Sequence, residues 1–140
     1  MATILVAEDD RHISRVLELW VTRNGHEVLT CVNGDDALDL IRSKRPDLLI
    51  TDVNMPGMNG MDLLRAAREE SLLTHPAIIL TSRCDQAEIE LEAQQLGATL
   101  HPKPFSPQNM MAGIEAALAS NWNPFEADAS PKPQEVSNSE

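Results

Sequence analysis

The sequence predicts a doubly wound α/β domain, a five-stranded parallel sheet covered on both faces by five helices. Three observations carry this expectation. Five short apolar runs alternate along the chain with five amphipathic stretches. Each gap between runs has room for one crossover helix, which parallel neighbours require. The best-defined runs, such as Leu48-Leu49-Ile50-Thr51, are apolar at successive positions rather than alternating, as strands buried on both faces are.

The first strand is Ile4-Leu5-Val6-Ala7, ended by the acidic turn Glu8-Asp9-Asp10, in which Asp10 reads as a helix cap. Ile13, Val16, Leu17 and Trp20 then recur at i, i+3, i+4 and i+7, the helical stripe. Asn24-Gly25 stops that helix. Val28-Leu29-Thr30 is the second strand, and Ala37, Leu38 and Ile41 mark the second helix. Leu48 to Thr51 forms the third strand, and the Gly/Pro/Met-rich loop Asp52 to Gly60 leads into a helix near 60–70. The methionines of 55–61 read as packing groups. Ala77-Ile78-Ile79-Leu80-Thr81 is the fourth strand. Asp85 caps a polar helix over 86–96, with Glu88, Glu90 and Glu92 in solvent. Gly97-Ala98-Thr99-Leu100 is the fifth strand, and Ser106-Pro107 opens the last helix as cap and first-turn proline. Met110, Met111, Ile114, Ala117 and Leu118 line that helix's apolar face.

Composition bounds the function. The 140 residues suffice for one domain without disulfides, and with 3% aromatics and no Tyr the core rests on Leu, Ile, Val, Ala and Met. A net charge of -11 excludes a basic footprint for nucleic acid or an anionic membrane surface. Cys31 and Cys84 have neither redox nor zinc spacing and read as free thiols. There is no basic leader and no apolar run long enough to span a bilayer, so the expectation is a cytoplasmic protein without a membrane partner. Residues 1–122 are expected to fold. Residues 123–140, polar and with three prolines, are expected to form a disordered tail because they bury too little to offset ordering.

For five such units the default strand order is 2-1-3-4-5, the flavodoxin-like arrangement, with its crevice at the carboxyl edge between strands 1 and 3. The strand ends carry Glu8-Asp9-Asp10, Asp52, Thr81-Ser82 and Lys103. Glu8, Asp9 and Asp52 should therefore converge and repel one another, which calls for a hard divalent cation. Mg²⁺ suits a site that also handles phosphate. Lys103 and Thr81 add a positive charge and a hydroxyl donor that can grip a phosphoryl group. Taken singly, the acidic turn is an ordinary cap, Thr81 a strand residue and Lys103 a surface charge. Their weight comes from convergence, and from the cost of ending an apolar strand on an unpartnered Asp. His12, His26 and His75 show no ligand spacing, and Arg83 flanks the site.

Four motifs in register, Glu8-Asp9, Asp52-Val53-Asn54-Met55-Pro56-Gly57-Met58-Asn59-Gly60, Leu80-Thr81-Ser82 and Lys103-Pro104-Phe105, resemble the receiver domains of two-component response regulators. The resemblance implies that Asp52 is the phosphoacceptor, and that Glu8, Asp9, Asp52 and the backbone carbonyl of Asn54 bind Mg²⁺. It implies that Thr81 and Lys103 contact the phosphoryl group and that Lys103-Pro104 is cis. It further implies a sensor histidine kinase or phosphotransfer protein as donor. The implied output is to a protein target through helix 4, strand 5 and helix 5, with no direct nucleic acid contact and with a phosphorylation-dependent homodimer left open. One position departs from the pattern: Leu100 stands where the family has an aromatic switch residue, with His101 beside it as a surface imidazole. Two rivals stand beside this reading. One is a degenerate receiver serving as a constitutive scaffold. The other is a haloacid-dehalogenase-like phosphatase, which needs a second Asp where Asn54 stands. With only the polar tail after residue 122, the domain either acts through partners or is a receiver excised from a longer chain.

Overall fold

Runs of Ile, Leu, Val and Ala form the five strands of the sheet in the computed structural model, which describes residues 2–81 and 87–122. The elements alternate as β1 (Thr3–Ala7), α1 (Arg11–Arg23), β2 (Glu27–Cys31), α2 (Gly34–Lys44), β3 (Leu48–Asp52), α3 (Gly60–Glu69), β4 (Ala77–Thr81), α4 (Ala87–Gln95), β5 (Ala98–Pro102) and α5 (Pro107–Leu118). All strand pairs are parallel and the order is β2-β1-β3-β4-β5, as the sequence predicts. Ser82, Arg83, Cys84, the cap expected at Asp85 and the tail 123–140 lie outside the described residues.

The sheet divides two apolar cores. On one face Leu5, Leu49 and Ile79 pack against Leu38 and Ile41 of α2 and Leu63 and Leu64 of α3. On the other, Ile4, Val6, Ile50, Ile78 and Leu80 meet Leu17 and Val21 of α1 and Met110 and Ile114 of α5. Met61 is buried, and Met55 and Met58 pack against the first core, so these methionines are packing groups.

Local signals act where expected. The Asp10 side chain accepts from the backbone N–H groups of His12 and Ile13, and Ser106 from that of Asn109. Gly25 takes φ +88 just after the Asn24 cap. Three details differ. β5 runs on through His101 and Pro102, which an edge strand permits because a proline there need not donate to a neighbour. His101 is half-buried rather than a surface group; a Cβ added at Gly113 of α5 would lie 2.6 Å from its ring. Glu92 is not merely solvated, because it pairs with Arg65 of α3.

Replacing Ser106 by Ala removes the acceptor for the Asn109 N–H and should lower stability by about 1 kcal/mol. Ser106→Asp should keep most of it. Urea denaturation of the two variants measures both effects.

Candidate acidic site at the carboxyl edge of the sheet

Parallel pairing of β1 with β3 aligns Ala7 with Thr51, so the next residue of each chain, Glu8 and Asp52, emerges at the same edge. Asp52 is itself the last residue of β3. Oxygen atoms of Glu8, Asp9 and Asp52 lie within 4.8 Å of one another. Glu8 is 1% exposed and Asp52 8%, whereas Asp9 is open to solvent. The fifth strand delivers the opposing charge. Lys103 Nζ stands 3.0 Å from Glu8 Oε1 and 3.3 Å from Asp52 Oδ1. The Lys103-Pro104 bond is cis.

Two of the three clustered carboxylates thus face one ammonium, and burial decides the balance. Burial drives the Glu8 carboxyl above its ordinary range, against the Asp10 N–H and Lys103, which oppose the rise. Burial likewise raises Asp52, helped by the nearby charge of Asp9 and opposed by Lys103 and the Asn54 backbone N–H. For Lys103 burial acts downward, but the hydrogen bond and charge of Glu8 together with Asp52 outweigh it, and its pKa rises. The Lys103 ammonium, 3.0 Å away, is the group that faces the buried Glu8 Oε1 among the described residues. The donor set is all oxygen and open to solvent at Asp9, which fits Mg²⁺.

The other expected residues fall around this centre. Asn54 donates its N–H to Asp52 and shares a depression with Asp9, Met55, Pro56 and Asn59. Thr81 is 2% exposed at the end of β4, one position past the Asp52–Leu80 register pair. Its carbonyl accepts from the Lys103 N–H at 3.1 Å, tying the two strand ends together. Gly60 holds α3 against β3: its N–H donates to Val53, and a Cβ there would collide with the Asp52 carbonyl. The glycine was legible as a turn residue, but not as the point where a helix touches the backbone of Asp52. Beyond Lys103 a groove is lined by Ile13, Val16, Trp20 and Phe105. The Trp20 and Phe105 rings meet edge to face at 5.9 Å.

Comparison with known proteins places this geometry in context. The family model described as the response regulator receiver domain matches residues 4–115. The transcriptional regulatory protein AfsQ1 of Streptomyces coelicolor is 37% identical over 118 residues, covering 84% of this chain and 52% of that protein. The DNA-binding response regulator MtrA of Mycobacterium tuberculosis is 32% identical and is covered to 51%. The chain therefore spans about half the length of these curated relatives. Chemotaxis protein CheY4 of Vibrio cholerae superimposes with a TM-score of 0.76 at 30% identity, over 84% of this chain and 98% of that one. The Francisella response regulator 1452 receiver domain gives 0.77 at 28%, over 85% and 98%.

Removing either partner of the Lys103–Asp52 pair should shift stability in opposite directions. In the folded chain Glu8 and Asp52 hold their protons to a higher pH than in the unfolded chain, above the ordinary 4.5 and 3.8. The folded state then binds more protons, so stability falls as pH rises through the raised values. Asp52→Asn should raise the urea midpoint at neutral pH and flatten that decline. Lys103→Ala leaves Glu8 and Asp52 without their ammonium and should lower stability by about 2–3 kcal/mol. Denaturation at several pH values reads both variants.

Proposed function

We propose, since the chain belongs to the response regulator receiver family, that Asp52 accepts a phosphoryl group from a phosphohistidine in a Mg²⁺-dependent reaction. The observation supporting this most directly is the convergence of Glu8, Asp9 and Asp52 within 4.8 Å, with Lys103 between two of them. An Asp52 oxygen attacks phosphorus as the bond from phosphorus to the donor imidazole breaks, and the imidazole nitrogen retains that electron pair. Water later attacks the acyl phosphate, releasing inorganic phosphate and restoring the Asp52 carboxylate. Glu8, Asp9, Asp52 and the Asn54 carbonyl would hold Mg²⁺, which would neutralise charge on the transferring oxygens.

The protein groups divide the remaining work. Burial raises the energy of the ionised Asp52 and Glu8 carboxyls together, which favours any event that adds positive charge. Lys103, placed between them, is positioned to follow negative charge from Asp52 onto the phosphoryl oxygens. Thr81 would donate its hydroxyl to one of those oxygens. The apolar groove of Ile13, Val16, Trp20 and Phe105 opens directly beside Lys103. It offers a donor domain, from a sensor histidine kinase or phosphotransfer protein, a footing within reach of Asp52.

Output would pass to a protein target through α4, β5 and α5. Leu91 of α4 is 57% exposed beside the exposed Glu88 and Glu90, and α5 carries no Lys or Arg. That surface suits an apolar or basic protein better than nucleic acid. No helix among the described residues is long and apolar enough to cross a membrane.

Incubation with acetyl phosphate and Mg²⁺ should add one phosphoryl group, seen by intact-mass spectrometry and mapped to Asp52. Asp52→Asn or chelation of Mg²⁺ should abolish it. Asp9→Ala should raise the Mg²⁺ concentration needed by roughly tenfold or more. An unmodified wild type under these conditions would instead support the constitutive scaffold.

A further inference from the structure

At the edge of the sheet remote from Asp52 lies a cation that no carboxylate pairs with among the described residues. Arg68 of α3 is 7% exposed, and burial pulls its pKa down to about 10. Backbone carbonyls compensate it. Nε donates to Leu96 at 2.9 Å, Nη1 to Leu73 at 2.9 Å, and Nη2 to His75 at 2.9 Å and Gly97 at 3.1 Å. Four of the five guanidinium donors thus follow a fixed fork. The Trp122 ring covers the face of the guanidinium at 4.1 Å.

Trp122 is seated by more than this contact. After α5 its N–H donates to the Thr74 carbonyl at 2.8 Å, and His75 Nδ1 donates to the Ser120 carbonyl at 2.7 Å. Gly97, at φ +73, leaves the space the indole fills, since a Cβ there would collide with the ring.

The clamped carbonyls belong to the residues that lead into β4 and β5. Those strands pair over five positions, from Ala77–Ala98 to Thr81–Pro102, and the Lys103 N–H extends the ladder. β4 joins β3 over only three positions, Ile50–Ile78 to Asp52–Leu80. The β4–β5 register is thus longer than the β3–β4 register, which the Val53 N–H continues by donating to the Leu80 carbonyl at 3.1 Å. One end of the β4–β5 pair is held by Arg68 and Trp122, and the other presents Thr81 and Lys103 to Asp52.

We propose that Arg68 and Trp122 are positioning residues that clamp the starts of β4 and β5, set the placement of Thr81 and Lys103 against Asp52, and couple that placement to the chain leaving α5. The coupling is a property of the ligand-free fold. Its consequence for phosphoryl transfer rests on the role proposed for Asp52.

Backbone-amide NMR of the full 140-residue chain tests the coupling without any ligand. Trp122→Leu should move the resonances of Thr81 and Lys103 as well as those of 74–77 and 96–98, and Trp122→Phe should return them towards wild type. With Mg²⁺ and beryllofluoride added, Trp122→Leu should change the apparent affinity by about threefold or more. Shifts confined to 68, 74–77 and 96–98, with Thr81 and Lys103 unmoved, would overturn the proposal. A wild type that takes no beryllofluoride would remove the phosphoacceptor reading, while the ligand-free shifts would still decide the coupling.

Discussion

A shortage of positive charge in a half-buried pocket governs the rest of this molecule. Glu8, Asp9 and Asp52 crowd together, Lys103 pairs with Glu8 and Asp52, and burial pushes those two carboxyls towards their protonated forms. A pocket in that condition stores electrostatic strain that added positive charge relieves. Under the proposed function a hard cation would relieve it directly, and phosphorylating Asp52 beside that cation would move negative charge onto oxygens that Lys103 can reach. The fold limits how far the pocket can relax, because Glu8 and Asp9 follow β1, Asp52 ends β3 and Lys103 follows β5 within one sheet.

The sheet supplies that fixation through its order. Placing β1 between β2 and β3 sets the first acidic turn beside the third strand's last residue, and β4 and β5 then bring Thr81 and Lys103 along the same edge. Tight backbone contacts hold the neighbouring loops, with α3 starting at Gly60 directly against Asp52. At the opposite edge Arg68 performs an analogous task with carbonyls instead of carboxylates. The charged groups at the two edges of the sheet are thus linked by strands only five residues long.

Much of this was legible in the sequence because it depends on local chemistry. β4 is bounded as its apolar run suggests, and the Asp10 and Ser106 caps act through side chains two or three residues from their donors. The crevice was legible because 2-1-3-4-5 is the default order for five alternating units, and order decides which strand ends meet. Other features arise from long-range contact. Pro102 lies beyond the strand expected to end at Leu100, and β5 reaches it because an edge strand tolerates a proline. His101 reads as a surface group until Gly113 of α5 is placed against it. Arg68 looks like an ordinary last-turn basic residue, since nothing local reveals that Leu73, His75, Leu96 and Gly97 aim four carbonyls at one point.

The central claim, that crowded carboxylates make this edge a cation site, is tested most directly by titrating Mg²⁺ into the wild-type protein and following backbone amides by NMR. The account predicts that Glu8, Asp9 and Asp52 to Asn54 move together along one saturable curve, with Lys103 following as its partners are neutralised. Weak, unsaturable shifts scattered over the exposed acids of α2 and α4, with the crevice unchanged, would contradict it.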